Sequence, residues 1–276
     1  MIRLDGNSLA AFRGAGVAGT VQSVAGCELF GAARVPSWAS PYSAAATAAL
    51  KAQFPTQWPT IRDYGLAHPA LVPFINEDPM LVMSLIEGLG WRKITSDGYC
   101  YIKTGVIASP TIGFEGDAEF LDVSNSFTGY CVVDKAVNNE AFGISWWSNL
   151  WHTWWGSNSQ KNGGRINKNV VYHISQMQGS ALITGSDGST WSATNSGTPT
   201  IIQSELYFPT ARRNNSEPTS GAKLIAPNFK IYDGGVLIRH FVPCKHNNED
   251  SWLDIVNAEF HPKVGSGSFT ISESPA

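Results

Sequence analysis

Charge is what this sequence has least of. Asp, Glu, Lys and Arg make up 15% of its 276 residues, against about 25% in an average soluble domain. The net charge is −3, and no basic run is longer than Arg212-Arg213. Without a basic stripe, and without basic residues interleaved with stacking rings, direct nucleic-acid binding is not expected. No apolar run approaches the roughly 18 residues of a membrane span. The opening stretch MIRLDGNSLAAFRGAG is interrupted by Asp5, Asn7 and Arg13, so it lacks the apolar centre of a secretory leader. Cysteine is scarce as well. Cys27, Cys100, Cys131 and Cys244 show no CxxC and no metal-ligand spacing. They read as buried or partly buried thiols, and a Cys100–Cys131 bridge requires that their strands be neighbours. The six His residues form neither HxxxH nor HExxH, so no metal and no cofactor is expected. A GxSxG nucleophile elbow leading into a helix is also missing.

What is present is apolar and turn-rich. Hydrophobic residues are 43% of the chain, and Gly, Ser, Asn and Thr fill much of the polar share. Residues 1–90 are rich in Ala and Pro and hold the convincing helix signals. Ser40-Pro41 supplies a cap and a first-turn proline ahead of YSAAATAALKAQF. A second helix is predicted from Asp78-Pro79 through MLVMSLIE to Gly88. Between them, WPTIRDYGLAHPALVPF carries three prolines and reads as irregular chain. The region is too poor in apolar residues to stand alone, so it is expected to dock on the second domain or on a neighbouring subunit.

From residue 91 to 276 the texture is short alternating runs separated by turn residues. VVYHISQM puts Val170, Tyr172 and Ile174 on one face, with Val171, His173 and Ser175 on the other. ALITGSDGSTWSA predicts a hairpin turning at Asp187-Gly188, and FKIYDGGVLIRHFV another at Asp233-Gly234-Gly235. AEFHPKVGSGSFTIS reads as a third. This pattern predicts a mainly β fold, a two-sheet antiparallel jelly-roll sandwich with a small, partly helical N-terminal region.

SWWSNLWHTWWG (145–156) holds five of the ten tryptophans. Alternation predicts that Trp146, Trp151 and Trp155 face the interior, while Trp147, His152 and Trp154 face outward and Asn149 helps the chain turn. An outer aromatic patch of this size is rarely left bare. Residues 1–90 or a partner subunit would cover it, or a stacked sugar ring would, the remaining reading being an ordinary exposed aromatic patch. Trp147, Asn149, His152 and Trp154 are therefore the candidate ligand or interface residues, with Ser148, Ser157 and Asn158 nearby as polar groups.

FEGDAEF places Glu115, Asp117 and Glu119 on one strand face. The spacing resembles the ExDxE motif of laminarinase-type retaining glycosidases, which implies Glu115 as nucleophile and Glu119 as acid/base. Gly116 stands where those enzymes carry an apolar residue, and Asp122 follows closely. The reading preferred here is a solvated strand face, a non-enzyme with no catalytic residue.

KIYDGGVLIRHFVPCKHNNEDSWLDIVNAEFHPKVGSGSFT (230–270) resembles the closing segment of a family of concanavalin A/laminin-G-like jelly rolls common in gut bacteria and their phages. Leu237 to Cys244, Asp254-Ile255-Val256-Asn257 and Gly265 to Phe269 fill its pattern, and ITSDGYCYIKTGV (94–106) is similar to its opening. His240 and Lys103 stand where acids are usual, so any contact those acids make in relatives is absent here. The resemblance implies a concanavalin-like fold. It also implies a phage virion structural protein, made in the host cytoplasm: a head or tail fibre, or a capsid-decorating subunit. Its lectin-like domain would serve assembly or weak glycan adhesion, and residues 1–90 would attach to other virion proteins. A homo-oligomer, such as the trimer usual in fibres, is expected. The alternative from another class is a bacterial carbohydrate-binding lectin or module, and the second alternative is a glycoside hydrolase using Glu115 and Glu119.

Overall fold

The computed structural model describes residues 40–86, 92–123, 128–135, 140–156, 161–195, 203–213, 216–218 and 221–273. Cys27 and most of the first forty residues lie outside them. Among these residues four helices come first: α1 (Ala44–Gln53), α2 (Trp58–Ala67), α3 (Val72–Glu77) and α4 (Leu81–Leu85), with a 3₁₀ turn at Pro69–Leu71. Eighteen strands follow. They are β1 (Arg92–Asp97), β2 (Cys100–Ile107), β3 (Ile112–Phe120), β4 (Thr128–Lys135), β5 (Glu140–Trp147), β6 (Leu150–Gly156), β7 (Lys161–Arg165), β8 (Val171–Met177) and β9 (Ser180–Gly185). The remainder are β10 (Thr190–Thr194), β11 (Glu205–Phe208), β12 (Thr210–Arg213), β13 (Lys223–Asp233), β14 (Val236–His246), β15 (Glu249–Asp254), β16 (Glu259–His261), β17 (Val264–Gly265) and β18 (Phe269–Glu273).

The chain is mainly β, and antiparallel sheets stack as a sandwich. The large sheet runs β10-β9-β8-β3-β13-β14-β15-β16, and β1 joins it along the first half of β13 with β18 beside it. The opposing layer is β12-β4-β5-β6-β7, and β11-β2-β17 forms a third, smaller sheet. One pairing departs from the antiparallel rule: β12 runs parallel to β4. Alternation along each strand sends one set of side chains into a shared core. That core is largely aromatic, with Phe114, Phe120, Tyr130, Phe142, Trp146, Trp151, Phe208, Phe229, Phe241 and Trp252 all buried. Phe208 stacks on Phe229 at 4.1 Å, and Phe120 meets Trp146 edge-on at 4.6 Å. Each such ring contributes about 1.5–3 kcal/mol by leaving water.

A second core lies outside the sandwich. In β14 Phe241 points in and Val242 points out, and Trp252 and Leu253 divide in the same way on β15. Leu50, Ile61, Leu71, Ile75, Leu81 and Val82 from the helices cover Val242, Cys244 and Leu253. The join is also ionic. Asp78 and Arg92 form a buried pair, Arg92 donates to Glu273 at 2.6 Å, and the Lys245 backbone N–H donates to Asp78 at 2.9 Å.

Three element expectations are corrected. The stretch expected to be irregular, 58–74, forms α2, the 3₁₀ turn and the start of α3. Its prolines sit in first turns, where a missing N–H costs nothing and the fixed φ suits a helix, so they start helices here. The cap of α1 is Ser43, whose side chain accepts from Ala46 N–H, three residues later than expected. The expected third hairpin does not form. Its pieces β16, β17 and β18 pair with β15, β2 and β1 respectively. The two other hairpins form at the expected turns, with Gly188, Gly234 and Gly235 at positive φ.

Candidate functional site

The tryptophan-rich stretch is the β5–β6 hairpin. Trp147 and Leu150 close it, and Ser148 and Asn149 both have positive φ (53° and 61°), the conformation of a two-residue type I′ turn. Alternation then divides the rings. Trp146 and Trp151 pair across the strands and are fully buried, and Trp155 is buried beside Phe142. On the outer face, Trp147 is 56% exposed and His152 only 5%. Trp154 is half-buried.

The three outer rings form a row. Trp147 and His152 lie 6.5 Å apart at 36°, and His152 and Trp154 lie 6.5 Å apart at 28°. Trp154 reaches across β5, its indole N–H donating to Ser145 Oγ at 2.8 Å. Its carbonyl accepts from Gln176 Nε2 at 2.9 Å, a link to the other sheet. His152 thus lies between Trp154, which Ser145 anchors, and Trp147, which caps the row at its open end. Asn149 is a turn residue first. Its backbone carbonyl accepts from Ile166 N–H at 2.9 Å, and its Oδ1 is buried with no hydrogen-bond partner. Of the four candidates, then, the structure opens Trp147 to solvent, half-opens Trp154 and buries His152. Ser145 was not among them. Its period-two relation to Trp147 carried the signal, since both must face outward.

The carboxylates of β3 also face outward, on the part of the large sheet that the helices leave uncovered. They form a cross-strand network. Glu115 accepts from Lys230 Nζ at 3.1 Å and Tyr232 OH at 2.7 Å. Asp117 meets His173 Nδ1 at 2.9 Å and Asn228 Nδ2 at 3.4 Å. Burial works against ionisation of Glu115, but the Tyr232 and Lys230 hydrogen bonds outweigh it and hold the carboxyl below its usual range. Gly116 has a steric reason. A Cβ there would lie 2.6 Å from Tyr130 OH and 2.8 Å from the Asn228 carbonyl.

Lys103 pairs with Glu217 at 2.9 Å and sits over the Tyr207 ring, while His240 is half-buried opposite Lys230. Asp254 closes the turn after β15, its Oδ1 accepting from the backbone N–H of His240 and Val256. Cys100, Cys131 and Cys244 are free and buried, and burial raises all three thiols, Cys100 to about 12. Among the described residues no cluster of His, Cys, Asp and Glu could hold a metal ion. No described helix is long and apolar enough to cross a membrane.

No protein-family model and no curated protein matches the sequence. Solved structures with a similar fold do. One is a putative carbohydrate binding protein from Bacteroides ovatus, 10% identical, with a TM-score of 0.43 over 67% of this chain and 61% of that one. Another is the LG4-5 pair of the mouse laminin alpha1 chain, 11% identical, TM-score 0.36, covering 53% and 44%. A third is Scytalido-glutamic peptidase, 13% identical, TM-score 0.31, covering 56% and 92%. The chain thus spans less than two thirds of the length of the first two. At these values the likenesses say nothing about the site.

Proposed function

We propose that this chain is a lectin-like module that receives a saccharide on the outer ring row of β5 and β6. The observation that carries the reading is Trp147, 56% exposed at the end of a row whose other rings are held in place. An exposed indole presents a flat apolar face to a pyranose, and a side chain with two χ angles costs little to order. Ser148 and the half-buried Trp154 supply the neighbouring surface. The setting we propose is a phage particle, as a fibre or capsid-decorating subunit in several copies. The likeness of 230–270 to domains of gut phages supports that setting, and many copies would convert weak single-site binding into avidity. A bacterial carbohydrate-binding module would use the same surface, without the particle. Hydrolysis through Glu115 and Glu119 is disfavoured, because Glu115 is engaged by Lys230 and Tyr232.

Glycan-array binding by the full chain tests the site. Trp147→Ala should abolish the signal, and Trp154→Ala should weaken it, with both variants folded by circular dichroism. An array on which the parent chain binds nothing would sink the lectin reading. Purified particles that lack the chain would sink the virion setting alone.

A further inference from the structure

We infer that the saccharide is acidic, and that Arg165 on β7 reads its charge. The inference rests on the lectin-like reading above and deepens it. Trp147 pairs with Leu150 across the β5–β6 hairpin, and Leu150 pairs with Arg165 across β6 and β7. Residues paired directly across antiparallel strands share a face, so Trp147, Leu150 and Arg165 form one outward row. The row spans two strand spacings, about 10 Å from Trp147 to Arg165 along the backbone. An arginine side chain is long enough to cover much of that distance across the half-exposed Leu150.

Three observations mark Arg165 as available. It is exposed. Among the described residues no carboxylate pairs with it, although the neighbouring Lys168 pairs with Asp122 and Lys230 with Glu115. Its strand is also held firmly. Trp191 of β10 lies on Gly163, where a Cβ would come within 2.0 Å of the indole, so β7 is fixed against the edge of the other sheet. An unpaired cation on a fixed strand, in line with an open indole, is complementary to a pyranose that carries a carboxylate or sulfate. The ring would stack on Trp147, and the acid would take the guanidinium's paired N–H groups.

Matched pairs of probes test this with the full chain in isothermal titration: sialyllactose against lactose, tetragalacturonate against its methyl ester, and a heparin tetrasaccharide against its desulfated form. At about 50 mM salt the acidic member of at least one pair should bind about tenfold tighter than its neutral partner. That advantage should shrink at about 500 mM salt. Arg165→Gln should bind both members alike, at the parent's affinity for the neutral one, and Trp147→Ala should bind neither. Equal affinity of the parent for both members of every pair would overturn the inference and leave the lectin reading standing. So would an acid preference that survives in Arg165→Gln. Failure of the parent to bind any of the six would overturn both.

Discussion

His240 stands on β14 opposite Lys230, and its surroundings explain why it stays neutral. Burial comes first, and Lys230, paired with it across β13 and β14, adds repulsion. The Asp254 and Glu115 carboxylates only partly offset these, and the imidazole is pushed from its ordinary value near 6.5 to about 4. The unfolded chain therefore takes up a proton at this residue near pH 6.5 while the folded chain does not. Stability from this group is complete above about pH 6.5 and is lost as the pH falls toward 4, by about 3 kcal/mol across the window. Urea unfolding at pH 7.5 and pH 5 should show a drop that His240→Gln reduces by about 2 kcal/mol. Parallel pH curves for variant and parent would remove His240 as the cause. Glu115 has the same sign at lower pH, because its carboxyl is held below its usual range and acid must break its bonds to Lys230 and Tyr232.

Strands were easier to read than their partners. The β5–β6 hairpin was legible because the ring alternation and Asn149 agree on one register, and the large sheet's two glycine turns were equally plain. The run 259–273 misled because its turn residues are real while its pairing partners are distant. β17 finds β2 and β18 finds β1, more than 160 residues away, and no local pattern reports such pairing. The prolines of 58–74 misled for the opposite reason: a proline breaks a helix interior but suits a first turn, and local sequence did not decide which. Gly116 shows a third kind of miss. It reads as a weak point in β3, yet it exists to admit the Tyr130 hydroxyl, which is buried with no hydrogen-bond partner. Gly116→Ala should cost about 1–3 kcal/mol by overpacking. Tyr130→Phe should be close to neutral alone, since it deletes an unsatisfied group, and should recover part of the loss in the double variant. The Asn228 carbonyl would account for what remains. Thermal unfolding of the four proteins checks this, and a double variant no better than Gly116→Ala would clear Tyr130 of blame.

The whole molecule is two cores that share β14 and β15. Sequence reading found the sandwich core through alternation, and expected the helical region to dock on the second domain or on a neighbouring subunit. It did not reveal the surface on which that region rests, because Val242, Cys244 and Leu253 look like ordinary outward positions until helices cover them. The same blindness hid Arg165, whose relation to Trp147 exists only through strand register. The two cores are joined by Asp78, between α3 and α4, and Arg92, the first residue of β1. Both are buried, and Asp78 accepts from both terminal nitrogens of Arg92 and from Lys245 N–H. Removing one partner of such a pair strands the other, at a cost of about 3–5 kcal/mol, whereas replacing both by apolar groups can be nearly neutral. Asp78→Ala should therefore lose most of that amount, and Asp78→Leu with Arg92→Met should regain much of it. The loss should not be uniform. Hydrogen exchange should quicken across α1 to α4 well before it quickens in β4, β5 and β6, since only the helices depend on the Asp78 join to reach their supporting sheet. Equal quickening in both regions would mean that helices and sandwich unfold as one unit, and that the outer core is as firmly part of the fold as the inner one.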